Sequence, residues 1–408
     1  MKKIRFREWG ISAPAYWGIL AFLGLFIGAA TLSFFYMEHE GHWVSGMNNQ
    51  VVWGMPHVFA VFLIVAASGA LNVASIGSVF NQKLYKPLAP LSALMAITLL
   101  VGGLLVLVLD LGRPDRLLVA MTEYNFKSIF AWNIYLYVGF MAIVGAYLFT
   151  MMERKANKYT KGVGFVAFIW RLILTTGTGS IFGFLVARQA YDAAIMAPMF
   201  IVMSFSFGLA FYLLMLMFAF NMDGREFGGT ILRRLKNLLG VFVAGVLYFT
   251  LAYHLTNLYG TENHGVEAFV LLNGGIYTQV FWIGEVLIGA LLPLAILYHP
   301  SLGQSRGWVG GACVAIIAGG LAKMYVIIIG GQAFPMSMFP DKTIIESGFF
   351  DGVNGEAYSY APSLYEVLLG LGGVAVAIAA TLVAVRVLKF LPETLADDHV
   401  DPHASVES

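Results

Sequence analysis

Leu109-Asp110-Leu111-Gly112-Arg113-Pro114 closes one long apolar run, and Asn125-Phe126-Lys127-Ser128-Ile129-Phe130-Ala131-Trp132-Asn133 opens the next. Runs of about 20 apolar residues on either side are the length that crosses a bilayer core as helix. Inside lipid every backbone N–H and C=O must be satisfied internally, so runs this long are helices rather than barrel strands. The turn between them is charged and broken by proline, a costly insertion between two membrane spans, and it is therefore a candidate site.

Composition extends that reading to the whole protein. Of its 408 residues 59% are hydrophobic and 12% charged, too few polar groups to cover a water-facing surface. The chain is an all-α integral membrane protein. Hydrophobic runs predict ten spans, at 15–37, 52–79, 88–110, 128–152, 164–188, 193–220, 239–260, 274–298, 308–331 and 362–388. They form one polytopic unit over 1–391, followed by an acidic tail, 392–408, without a hydrophobic pattern and expected to be disordered. The first run follows a basic segment but is too long for a signal peptide and reads as an anchor.

Lys and Arg set the orientation, because cytoplasmic loops retain them. With the N-terminus inside, inner segments hold seventeen of the 24, in clusters at Lys2–Arg7, Lys83–Lys86, Arg154–Lys161, Arg225–Lys236, Arg306 and Arg386–Lys389. Both termini are then cytoplasmic in an inner (cytoplasmic) membrane, and the Asp110 to Lys127 turn faces out. The net charge of +1 gives no reason to expect nucleic acid. The single cysteine, Cys313, rules out an internal disulfide, a self-contained iron–sulfur cluster and a CxxCH haem attachment.

Ionisable side chains at membrane depth cost at least ~2.5–3.5 kcal/mol each near the centre, so each is a functional candidate. They are His57, Arg171, His254, Glu285 and Lys323, with Asp110 and Glu366 near the outer ends. At a rise of ~1.5 Å per residue His57, His254 and Lys323 fall in the outer half, level with Asp110 and Asn133. A histidine, a carboxylate, a carboxamide and tyrosines in an apolar setting suit two-electron quinone chemistry. Ring carbonyls need hydrogen-bond donors, quinol hydroxyls need a proton acceptor, and imidazole titrates near neutrality.

Each residue also has a structural reading. His57 or His254 alone serves as an interhelical hydrogen bond. Lys323 snorkels or pairs with Glu285 or Glu366, Asp110 and Arg113 cap a helix, and Arg171 anchors at the inner interface. Gly177-Thr178-Gly179-Ser180 is similar to a nucleotide loop, yet it lies within a span without a preceding strand, which favours close helix packing. The outer loop 332–361, with Asp341, Lys342, Glu346, Asp351 and Glu356, reads as a docking surface or a cap over the helix ends.

The Leu-Asp-Leu-Gly-Arg-Pro turn, the following Asn-Phe-Lys-Ser and Ala-Trp-Asn, and Trp53-Gly54-Met55-Pro56-His57 resemble the NrfD/PsrC family of membrane subunits of polysulfide reductases over about spans two to nine. With ten spans, the protein most resembles the DsrP branch, found in the membrane complex of dissimilatory sulfur metabolism. The resemblance implies two antiparallel four-helix bundles with a flanking helix at each end. It implies a site for menaquinone or ubiquinone in the outer half of the first bundle, no haem or iron–sulfur cluster in this protein, and a periplasmic ferredoxin-like iron–sulfur subunit as partner. Other membrane and cytochrome subunits complete such complexes, so the protein is not expected to be an enzyme alone.

Site candidates follow residue by residue: His57 and Asp110 as catalytic, and His57, Asp110, Arg113, Asn133 and Tyr135 as quinone-binding. His254, Glu285 and Lys323 form a possible proton path, and no metal site is expected. Asn133 stands where some relatives have aspartate, and an amide does not accept a proton, so proton acceptance falls to His57 and Asp110. Two alternatives stay open. One is a haem-b electron-transfer subunit ligated by His57 and His254; the other is an ion-coupled secondary transporter, which the lack of an internal repeat argues against.

Overall fold

The computed structural model describes residues 4–335 and 360–400. Ten helices long and apolar enough to cross a membrane fill it: Ala13–Glu40, Met55–Ser78, Lys83–Leu109, Ile129–Met152, Asn157–Gly183, Met196–Met222, Gly229–Tyr259, Ile276–Tyr298, Arg306–Ala333 and Leu364–Val387. These are spans 1 to 10. All ten expected runs are helical, and the largest boundary change has a physical reason. Span 7 begins ten residues before the apolar run, because the helix already includes the basic residues Arg233, Arg234 and Lys236 that precede it.

Spans 2–5 form one ring of antiparallel neighbours and spans 6–9 a second, joined chiefly where span 2 crosses span 6. Glycine permits that crossing. A Cβ on Gly69 would overlap the Ser204 carbonyl oxygen, and one on Gly208 would lie 2.1 Å from the Ala70 backbone nitrogen. Spans 1 and 10 pair with each other and pack on the first ring through spans 2 and 3. Span 2 is the most buried and span 1 the least, as expected for a central and a lipid-facing helix. The Gly177–Ser180 run also serves packing: a Cβ on Gly179 would meet the Met196 carbonyl oxygen at 2.8 Å.

An even number of spans returns both termini to one face, and backbone hydrogen bonds hold them there. Phe6–Arg7 (β1) pairs antiparallel with Leu391–Pro392 (β2). The Trp9 indole donates to the Ala219 carbonyl at 2.9 Å, and Arg225 donates to the Pro392 carbonyl at 2.9 Å. The expected disordered tail is corrected over its first residues: Leu395 and Val400 are fully buried, and Asp397 accepts from the Thr230 backbone N–H near the start of span 7. Two apolar anchors and one helix-capping carboxylate are enough to dock 391–400. Residues 401–408, and the outer-loop residues from Asp341 to Glu356, lie outside the described residues.

The fold supplies a direct topology test. Cys313 is fully buried, so wild-type protein should be silent to impermeant thiol reagents. Leu118→Cys, between spans 3 and 4, should label from outside intact cells, and Lys158→Cys only after the inner face is opened. Labelling of both from one side would overturn the orientation.

Candidate functional site

At the end of the first ring away from the termini, Trp53-Gly54-Met55-Pro56-His57 starts span 2, with proline in the first helical turn, where its missing N–H costs nothing. The approach to that turn is heavily tied down. The Val52 and Trp53 backbone N–H groups both donate to the Gln332 side chain at 3.0 Å, and Gln332 returns a bond to the Trp53 carbonyl. Met55 N–H donates to the Tyr360 hydroxyl at 2.7 Å, which donates to Glu366 at 2.7 Å. Burial, and then the neighbouring Glu366 carboxylate, push the Tyr360 phenol up, so it remains a donor. Glu366 also accepts from Gly46 N–H and caps span 10 together with Ser363. It is thus a loop anchor rather than the partner of Lys323.

Span 3 ends at Asp110, whose backbone N–H closes the last turn onto Val106. The turn needs glycine at Gly112, where φ is +66°. The Asp110 side chain is fully buried and its Oδ2 lies 2.9 Å from His57 Nδ1. The oxygen sits off the line of the ring N–H, so neither Asp110 oxygen nor His57 Nδ1 has a hydrogen bond among the described residues. The sequence sets Asp110 beside Arg113, and the structure separates the two side chains. Arg113 turns outward and makes a two-pronged contact with Asp115, at 2.9 Å on both bonds. That hydrogen bonding holds the Asp115 carboxyl below its usual range, but the pair is exposed and of little structural weight.

His57 faces a cavity of about 510 Å³ between spans 2, 3, 4 and 5. Its walls are Ile64, Leu104, Leu107, Val108, Ile134 and Phe182, and Trp53 stacks near the imidazole, with ring centres 6.0 Å apart. Polar groups are few: His57, Asn133 and Tyr137 inside, Arg113 and Arg116 toward the turn. With Nδ1 turned to Asp110, Nε2 is left for the cavity. An apolar cleft of this size with a few convergent polar groups is the usual form of a small-molecule site.

The candidates separate clearly. Asp110 stands behind His57, outside the lining. Asn133 lines the cavity, but its amide N–H groups are spent on the Ile129 and Gly177 carbonyls at 2.9 and 3.1 Å. Tyr135 points elsewhere, donating to the Met121 carbonyl at 2.6 Å and packing on Tyr124. Tyr137 was missed; its hydroxyl lies 3.3 Å from Thr178 and its ring lines the cavity. The signal was present, since 130, 133, 134, 137 and 138 form one helical face. Arg171, expected at an interface, is buried, held by the Ser68 carbonyl and flanked by the Phe168 and Phe205 rings.

The second ring carries a smaller counterpart. His254 Nδ1 bonds Glu267 at 2.7 Å, and Asn257 donates to the other Glu267 oxygen at 2.9 Å. Glu267 went unnoticed because it sits on a five-residue helix, His264–Ala268, between two spans, yet it is fully buried. Lys323 pairs with Glu285 and donates to Thr250 at 2.8 Å. Glu285 lies in a π-helical stretch, Val280–Leu291, and a second one, Val326–Gly330, begins three residues after Lys323. Such bulges recur at functional sites. The cavity beside His254, Glu267, Glu285 and Lys323 holds about 30 Å³, room for a water but not for an aromatic ring system. The two histidines thus stand in separate rings and separate cavities, each against its own carboxylate.

The family profile described as polysulphide reductase, NrfD matches residues 43–336. The sequence is 29% identical to the Hdr-like menaquinol oxidoreductase integral membrane subunit of Archaeoglobus fulgidus, over 93% of its own length and 95% of the relative. It is 24% identical to the protein NrfD of Escherichia coli, over 69% and 95%, and 25% identical to a polysulfide reductase component of Wolinella succinogenes, over 70% and 96%.

Proposed function

We propose, from the premise that this protein belongs to the NrfD polysulphide reductase family, that it exchanges electrons between a quinol and an extracytoplasmic iron–sulfur protein, with the quinone ring in the cavity beside His57. The observation that carries the reading is the 510 Å³ apolar cavity whose proton-accepting group is backed by a buried carboxylate. Menaquinol is favoured by the name of the Archaeoglobus relative, with ubiquinol as the other candidate. The proposed partner is a periplasmic ferredoxin-like subunit, with further membrane and cytochrome subunits, in an inner-membrane complex of sulfur or sulfite metabolism whose membrane subunit has both termini in the cytoplasm.

Quinol oxidation releases two electrons and two protons. His57 Nε2 accepts the proton of one quinol hydroxyl, Asp110 stabilises the imidazolium that forms, and once that proton has passed to water at the cavity mouth the second hydroxyl gives its proton to the same nitrogen. The apolar walls exclude water, and the electrons leave toward the partner's cluster. Reversal of the same steps reduces quinone. The test is a photoreactive menaquinone analogue bound to the purified complex. Crosslinks should map to Trp53, Leu107 and Phe130, and crosslinks confined to spans 6–9 would remove the assignment.

His254, Glu285 and Lys323 are proposed as a proton path in the second ring. Removing one member of a buried ion pair costs about 3–5 kcal/mol, whereas replacing both with apolar groups is often neutral. Lys323→Met should therefore accumulate poorly, and Lys323→Met/Glu285→Leu should assemble normally. If the pair conducts, the double variant keeps electron transfer and loses the coupled proton movement in vesicles. Wild-type proton movement would leave the pair a structural role only.

A further inference from the structure

A second sizeable cavity lies at the opposite end of the first ring from the quinone pocket. It holds about 800 Å³ between the N-terminal strand and the ends of spans 2, 3, 4, 5 and 10. Lys86, Lys158, Lys161 and Lys389 line it, and of the lining residues Glu8 alone is acidic. The same wall carries exposed Met152, Val387 and Leu388.

Several other cations of this face are committed. Arg7 and Arg225 meet Asp223, Arg386 donates to the Trp9 carbonyl, Lys236 to the Leu297 carbonyl and Arg306 to the Phe227 carbonyl. Among the described residues none of the four cavity lysines has a carboxylate or carbonyl partner; Lys158 meets only the Tyr159 ring, at 4.9 Å. Four lysines against one glutamate thus border a space that apolar side chains at span ends also line. The complementary ligand carries negative charge and an apolar tail on the same molecule.

We propose that this cavity binds the phosphate headgroup of an anionic phospholipid, whose acyl chains leave along Met152, Val387 and Leu388. The charge fits the face, since basic clusters accumulate on the cytoplasmic side, where the leaflet is negative. The lipid ties the termini to spans 4 and 5 and closes the first ring at the end opposite the quinone. The inference is independent of the quinone assignment, because no residue lines both cavities.

The test compares retention of phosphatidylglycerol and phosphatidylcholine by the full-length protein, using native mass spectrometry after exchange in mild detergent. Phosphatidylglycerol should be retained preferentially. Lys158→Gln/Lys161→Gln should weaken it roughly thirtyfold, at about fivefold per lysine near a membrane surface. Lys83→Gln/Lys155→Gln makes the same charge change outside the cavity and should leave retention near wild type. All replaced side chains are exposed, so folding is preserved, and elution volume checks this. Equal loss in both double variants would mean diffuse surface attraction and overturn the site. Displacement by inorganic phosphate alone would make it a free-anion site, and equal retention of the two lipids would remove it.

Discussion

His57→Gln should assemble in the membrane and yet lose quinol oxidation by about 10²–10⁴-fold, the range for removing a general base. That range corresponds to about 2.7–5.5 kcal/mol of transition-state stabilisation. Glutamine fills similar space and keeps a hydrogen bond toward the cavity, but an amide does not accept a proton. The substitution therefore separates chemistry from packing. If His57 only joined helices, Gln would be tolerated and Ala would not; if it accepts the proton, both fail alike. Turnover of purified complex with a reduced quinone and an artificial acceptor checks this, and a wild-type rate in His57→Gln would remove the catalytic role. The His254→Gln variant serves as comparison, since its cavity of about 30 Å³ admits no quinone ring.

The two histidines show how far the sequence could be read. Membrane spans were legible because hydrophobicity over about 20 residues is dictated by the bilayer itself, and every expected run is a helix. His57 and Asp110 stood out because isolated polar residues in such runs are costly. What the sequence lacked was pairing. Asp110 and Arg113 are near in sequence and read together as a helix cap, yet the left-handed Gly112 turns Arg113 outward to Asp115 and leaves Asp110 for a histidine 53 positions earlier. Glu267 was hidden for the opposite reason: a short helix folding back into a bundle has no hydrophobic run to announce it. Tyr135 and Tyr137 differ by two positions, about 200° around a helix. Only the packing of span 4 decides which of them faces the cavity.

Asp110→Asn should produce a loss comparable to that of His57→Gln, and the reason lies behind the imidazole rather than in the cavity. The carboxylate is fully buried at 2.9 Å from Nδ1 and makes no hydrogen bond among the described residues, so its charge is available to the imidazolium alone. Asparagine keeps the shape and removes the charge. Its NH₂ group also donates toward Nδ1, favouring the tautomer with the proton on Nε2, where a proton must be accepted; in a catalytic triad the same change of carboxylate to amide costs about 10⁴. Arg113 does not confound the experiment, because its guanidinium is already occupied by Asp115. The loss should fall on kcat with KM little changed, since Asp110 does not line the cavity. Two residues acting as one unit are also not additive, so His57→Gln/Asp110→Asn should be no slower than His57→Gln alone. A wild-type rate in Asp110→Asn across about pH 6–8, or losses that simply multiply in the double variant, would show that the pair does not carry the proton.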